Sequence, residues 1–156
     1  MLLKGSCHCG AIRFEVESAH PYPYNLCYCS ICRKTAGGGG FAINLGADAK
    51  SFRLEGDLET SVYHATIDGK KSPGERHFCP RCGSALWIYD PRWPELLHPF
   101  ASSIDSELPR PPERTHLMLD SKAEWVDAAI GPDDKCFDEY PDESLAAWHQ
   151  RLGLTC

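Results

Sequence analysis

Seven of the nine cysteines in this 156-residue chain fall into three tight groups: Cys7-His8-Cys9, Cys27-Tyr28-Cys29-Ser30-Ile31-Cys32 and Cys79-Pro80-Arg81-Cys82. A CxC, a CxCxxC and a CxxC present soft thiolate ligands at spacings that one metal ion can gather. Cysteines two apart are badly placed to bond to each other, and nine is an odd number, so a disulfide framework fits poorly. Seven thiolates are too many for one tetrahedral ion and too few to close two. Four close a structural zinc site; three more would leave one coordination position open, as a catalytic zinc requires.

Spacing favours one division of the seven. Cys27, Cys29 and Cys32 lie within six consecutive residues, so one loop can present all three to one ion. Cys7, Cys9, Cys79 and Cys82 remain as a four-sulfur set, each pair just ahead of a predicted strand. Sharing an ion would clamp two strands about seventy residues apart, a long loop whose closure is entropically demanding. Exchanging the pairs between the ions is the alternative, and an iron–sulfur site is the rival to zinc. At the open position two uses compete: activation of water, or binding of an outside thiol, which the metal would ionise. Three thiolates donate strongly and weaken the ion's acidity, which favours the thiol.

The elements that must position these groups are short strands. Ile12, Phe14 and Val16 alternate with Arg13, Glu15 and Glu17, the pattern of a half-buried strand over 10–17. Similar segments run over 41–45, 51–54, 60–66, 84–89, 98–104 and 115–119, with Pro or Gly in nearly every gap. The tail differs: Leu145, Trp148, His149 and Leu152 are spaced for a helix near 142–152, with Asp142 as N-cap, Gly153 as stop and Trp148 docking it. The expectation is a mainly β fold, one domain over 1–156, tied together by two zinc sites and closed by a short C-terminal helix. Hydrophobic content of 42% and charged content of 24% are those of a soluble globular protein. There is no apolar run of membrane-spanning length and no signal-type leader, so a cytoplasmic protein without membrane attachment is expected. The net charge of −6 offers a nucleic acid no general attraction, and none is expected as partner.

With Gly5-Ser6-Cys7-His8-Cys9-Gly10, then Cys27 to Lys34, then Phe78-Cys79-Pro80-Arg81-Cys82-Gly83-Ser84, the chain resembles the glutathione-dependent formaldehyde-activating enzyme family, which includes the centromere-protein-V-like proteins. Thr115 to Trp125 is similar to that family's SKAPW-type segment, with Glu124 where proline is common. The resemblance runs from about Leu3 to Tyr140. It implies an Mss4-like twisted β fold, a structural zinc on Cys7, Cys9, Cys79 and Cys82, and a catalytic zinc on Cys27, Cys29 and Cys32. It further implies a carbon–sulfur lyase-type activity resembling S-(hydroxymethyl)glutathione synthase, joining glutathione or a similar thiol to a small aldehyde. A different thiol adduct, or a non-catalytic two-zinc scaffold, are the alternatives.

Glutathione would need cations for its two carboxylates. Arg33 and Lys34 follow the third ligand and are the first candidates; Lys70, Lys71 and Arg76 are others, and for each taken singly a solvated surface charge is the plainer reading. Gly37 to Gly40 is open to two readings, close approach of a substrate or a plain turn before Phe41. His8 is expected to point away from the ion; His64, His77 and His98 could be proton shuttles but read more simply as surface or satisfied core residues, and His116 is not read as catalytic. Trp87, Trp93 and Trp125 are read as core, with pocket wall as the alternative. Cys136 is a possible but disfavoured fourth ligand, and Cys156 reads as a free thiol.

Overall fold

The structure, a computed structural model, describes residues 1–154, so Cys156 lies outside the described residues. The chain is mainly β, as its alternating segments imply. Its strands are β1 (Leu2–Ser6), β2 (Ile12–Glu17), β3 (Tyr24–Cys27), β4 (Ala42–Asn44), β5 (Ala47–Asp48), β6 (Arg53–Gly56) and β7 (Ser61–Tyr63). They continue as β8 (Thr66–Ile67), β9 (Lys70–Lys71), β10 (Glu75–Phe78), β11 (Ala85–Tyr89), β12 (Leu96–Pro99), β13 (Arg114–Leu117) and β14 (Lys135–Cys136). Two short α-helices complete it, α1 (Ser30–Ala36) and α2 (Leu145–Arg151). No helix among the described residues is long and apolar enough to cross a membrane.

Three sheets position the cysteines. One has the order β1-β2-β6, a second β5-β12-β11-β10-β7 and a third β14-β13-β3-β4; β8 and β9 form a separate hairpin. β2 shows why: one side turns Ile12, Phe14 and Val16 inward while Arg13 and Glu17 face out. These residues join Leu3, Leu45, Leu86, Trp87 and Leu97 in the main core, into which Cys7 and Cys79 are also packed. A second cluster holds Cys27 and Cys32 with Ala42, Phe100 and Leu117. A third holds Leu26, Tyr28 and Val126. In the third sheet β3 runs parallel to β13 and antiparallel to β4, so the strand ending at Cys27 is paired on both sides.

Several local expectations are corrected. The segment 98–104 is strand only to Pro99; Ala101–Ser103 is a 3-10 turn, and the buried Ser103 hydroxyl donates to the Leu86 and Phe100 carbonyls at 2.8 Å. The last helix is capped by Ser144 rather than Asp142: the Ser144 hydroxyl accepts from Ala147 N–H at 3.1 Å. Its docking residue is as expected, with buried Trp148 donating Nε1–H to Glu113 at 2.8 Å. Of the three tryptophans read as core, only Trp87 is; Trp93 and Trp125 stand 50% and 65% exposed. Arg92 lies over the Trp93 ring at 4.8 Å, which gives that residue a cation partner instead of a core.

Candidate functional site

Cys7 and Cys9 lie in the turn joining β1 to β2, and Cys79 and Cys82 in the turn joining β10 to β11. Each turn closes through a glycine with positive φ, Gly10 at 74° and Gly83 at 76°, a conformation other L-residues adopt only with strain. Gly10 N–H donates to Cys7 O at 2.9 Å and Gly83 N–H to Cys79 O at 2.8 Å, so the two turns are built alike. The four sulfurs lie within 4.8 Å of one another. Cys7 and Cys9 are 3.5 Å apart and Cys9 and Cys79 3.8 Å, too far for disulfides, and all eight described cysteines are free thiols. Tetrahedral Zn²⁺ with bonds of about 2.3 Å sets sulfurs about 3.8 Å apart, so this group fits such an ion. Ser84 braces it: its hydroxyl accepts from His8 N–H at 3.0 Å and sits 3.2 Å from Cys82 Sγ, and Ser84 draws the Cys82 thiol down to about 5.

The other three sulfurs converge at the start of α1, also within 4.8 Å of one another. β3 delivers Cys27, and the chain then stays extended to Cys29 (φ −62°, ψ 155°), which is the N-cap of α1. Cys29 Sγ accepts the Cys32 N–H at 3.3 Å, and this bond starts the helix and turns Cys32 back toward the other two. Sulfurs so close cannot all ionise unaided. Hydrogen bonds from Cys27 and Cys32 hold the Cys29 thiol far below its ordinary range, while bonding to Cys29 and Cys32, together with burial, pushes Cys27 up. A bound cation would relieve that conflict. Both groups can therefore hold a metal ion; the second brings three protein donors where a closed tetrahedral site needs four.

Arg76, on β10, is the cation at this cluster. Its Nη2 donates to Cys32 Sγ at 3.5 Å and its Nη1 to the Thr35 hydroxyl at 3.2 Å. It borders a cavity of about 400 Å³ whose walls include Thr35, Tyr63, His77, Phe78 and Phe100. Phe100 and Ala85 belong to the same apolar cluster as Cys27 and Cys32, and Arg76 bonds Cys32, so the cavity shares its wall with the sulfur cluster although no cysteine lines it. Among the described residues, neither Arg33 nor Lys34 makes a polar contact with the sulfurs. Arg33 is half-buried with its Nε unpaired, and Lys34 is exposed. Lys70 and Lys71 are exposed on β9. Cys136, exposed on β14, is not in the three-sulfur group. His77 lines this cavity and a second one of about 390 Å³; it stacks on Trp87 and is bonded to Thr60 and Glu75, a structural pairing.

Two contributors escape a reading by spacing. Tyr140 is surface-lying and within electrostatic reach of the cluster: its phenol is pushed up first by partial burial and then by the negative charge of the three-cysteine group. It arrives there because residues 137–139 hydrogen-bond along the end of β13, through Leu119 N–H to Phe137 O and Met118 N–H to Glu139 O. Thr35 is the other, exposed one turn along α1 from Cys32. The glycine run is structural at its ends: Gly40 N–H bonds Gly37 O at 2.8 Å, and a side chain at Gly40 would collide with Val126.

Three likenesses accompany this geometry. The family described as glutathione-dependent formaldehyde-activating enzyme matches residues 2–118, a span containing all seven clustered cysteines and Arg76. A Halomonas elongata protein provisionally named glutathione-dependent formaldehyde-activating enzyme is 68% identical over 154 residues, covering 99% of this chain and 98% of its own. A crystal structure of a Rhodobacter sphaeroides protein superposes with a TM-score of 0.54 at 28% identity, covering 69% of this chain and 92% of that one.

Proposed function

The chain belongs to the glutathione-dependent formaldehyde-activating enzyme family, and from that membership we propose that it joins glutathione, or a thiol of that kind, to a small aldehyde beside Cys27, Cys29 and Cys32. In this reaction a sulfur–carbon bond forms as the carbonyl π bond opens, and the proton lost by the thiol ends on the former carbonyl oxygen. The product is a hydroxyalkyl thioether, and the reverse direction is a carbon–sulfur lyase step.

The reading gives each group a task. Cys27, Cys29 and Cys32 would hold a zinc ion, and Cys7, Cys9, Cys79 and Cys82 a second, structural one. When bound at three thiolates, Zn²⁺ supplies a Lewis-acidic fourth position that ionises an incoming thiol and fixes its sulfur. Arg76 receives a substrate carboxylate through its guanidinium fork while still tied to Thr35. Arg33 and Lys34 are the cations proposed for the other carboxylate. Phe78 and Phe100 keep that side of the cavity dry, and the volume of about 400 Å³ suits a small-molecule ligand. The observation that carries the proposal is a group of three convergent sulfurs, one donor short of closure, beside an arginine-lined cavity.

The test is exchange spectroscopy on glutathione and formaldehyde at equilibrium with their adduct, because this addition also runs unaided. Wild-type protein is expected to raise the exchange rate above that of buffer, and Cys29→Ser to return it to the buffer rate. Equal rates with and without wild-type protein would overturn the proposal.

A further inference from the structure

Between the two cysteines of Cys27-Tyr28-Cys29 stands a tyrosine with no solvent exposure. Successive side chains of an extended segment point to opposite sides. Cys27 and Cys29 accordingly enter one apolar cluster, while Tyr28 enters another with Leu26 and Val126. There its ring packs on Phe41 at 5.2 Å and lies nearly parallel to His116 at 5.8 Å. Its hydroxyl is 2.9 Å from His116 Nδ1. His116 is itself fully buried, and its Nε2 is 3.0 Å from Asp134 Oδ2.

Asp134 anchors the far end. Its Oδ2 accepts Arg114 Nη2–H at 2.7 Å, Arg114 Nε–H at 3.0 Å and Gly131 N–H at 2.8 Å, and its Oδ1 accepts Arg114 N–H at 2.9 Å. Burial opposes ionisation here, but the Gly131 amide and Arg114 together hold the carboxyl well below its ordinary range. An ionised carboxylate only accepts, so His116 Nε2 presents a proton to Asp134, and in the neutral ring that leaves Nδ1 to accept the Tyr28 hydroxyl proton. Every polar atom in the chain of contacts is thus matched. The sheet reinforces it: Tyr28 N–H donates to Leu117 O at 3.1 Å, and Leu26 and Cys27 of β3 pair with His116 and Leu117 of β13.

We propose that Tyr28, His116 and Asp134 form a positioning relay for the three-cysteine centre, in which the His116-held Tyr28 hydroxyl fixes the backbone between Cys27 and Cys29 and so sets the convergence of the three sulfurs. None of the three residues contacts the four-sulfur group, so the relay acts on one centre alone. The inference rests on the reading of Cys27, Cys29 and Cys32 as metal ligands, and it assigns Tyr28, His116 and Asp134 no contact with substrate.

The experiment follows metal release from the zinc-loaded full chain to a chromogenic chelator. Wild type is expected to release two ions in two phases. Tyr28→Phe keeps the ring and removes one hydroxyl; it is expected to speed one phase about tenfold, the order found when partners that orient metal ligands are removed, and to leave the other phase unchanged. His116→Gln keeps an amide N–H for Asp134 and drops the Tyr28 contact, so it should match Tyr28→Phe, and the double variant should add nothing further. Equal acceleration of both phases, or of neither, would overturn the relay. A wild type releasing one ion would overturn the metal reading beneath it. The relay is then judged on the metal-free chain by alkylation of Cys27 and Cys29: faster labelling in Tyr28→Phe supports it, and unchanged labelling overturns it.

Discussion

Cys29 does two things with one sulfur: it accepts the Cys32 N–H at 3.3 Å, capping α1, and it stands within 4.8 Å of the sulfurs of Cys27 and Cys32. Substitution can separate these. Serine is a better cap than cysteine but a poor soft ligand, so Cys29→Ser is expected to hold its melting temperature in the metal-free state while losing thiol–aldehyde exchange. Cys29→Ala loses the cap as well and should melt lower in the metal-free state, by the equivalent of about 0.5–2 kcal/mol. Arg76 is separable in a different way. A lysine at 76 is a point charge and cannot bridge Cys32 and Thr35 as the planar fork does. Arg76→Lys should therefore raise KM for a carboxylate-bearing thiol about tenfold, a loss of about 1.4 kcal/mol of binding, with kcat less affected. The same rise for an uncharged thiol such as mercaptoethanol would count against a carboxylate contact.

At the scale of elements, α2 shows how a short helix is made to stay. Seven residues are too few to be helical unaided. Trp148 buries its ring and bonds Glu113, and Arg151 reaches Glu113 at 2.6 Å and Glu143 at 2.6 Å. Trp148→Ala should destabilise the protein by about 3–5 kcal/mol, read from denaturant unfolding. Unchanged unfolding would mean α2 is not docked as described. This helix was legible in the sequence because its apolar spacing is local, as was β2 with its alternating burial. β3, α1 and β10 were not. β3 is stabilised by partners far along the chain, β13 and β4, and α1 by the cap at Cys29 rather than by an apolar stripe. β10 holds Arg76 and His77 half-buried, so it lacks the alternation by which a strand is recognised, and the cation nearest the sulfurs was only one name among several. The cysteine clusters themselves were plain, because ligand spacing within each motif is a local property. The burial of His116 is a tertiary property, and nothing in its neighbours announces it.

For the whole molecule, the four-sulfur group joins the β1–β2 turn to the β10–β11 turn, and so ties the first sheet to the second. Removing metal is expected to lower the melting temperature strongly, since structural zinc contributes about 10–16 kcal/mol of apparent binding free energy in small modules. Acid should act through a second set of ties. Arg151, then the Trp148 N–H, keep the Glu113 carboxyl below its ordinary 4.5, and Asp134 is held below its ordinary 3.8. Depressed folded-state values mean that both contribute fully above those ordinary values and lose their contribution as pH falls below them. The melting temperatures of wild type and Glu113→Gln should therefore converge as pH drops from about 5 to about 3; a constant gap would show that Glu113 acts without its charge. Centrally, Cys27, Cys29 and Cys32 would give an ion three protein donors and leave one position for a sulfur from outside. This is tested most directly by the absorption spectrum of the cobalt-substituted protein as glutathione is added. The account predicts two metal equivalents and a change in the sulfur-to-metal bands belonging to one of them. A single equivalent, or bands unmoved at millimolar thiol, would contradict it.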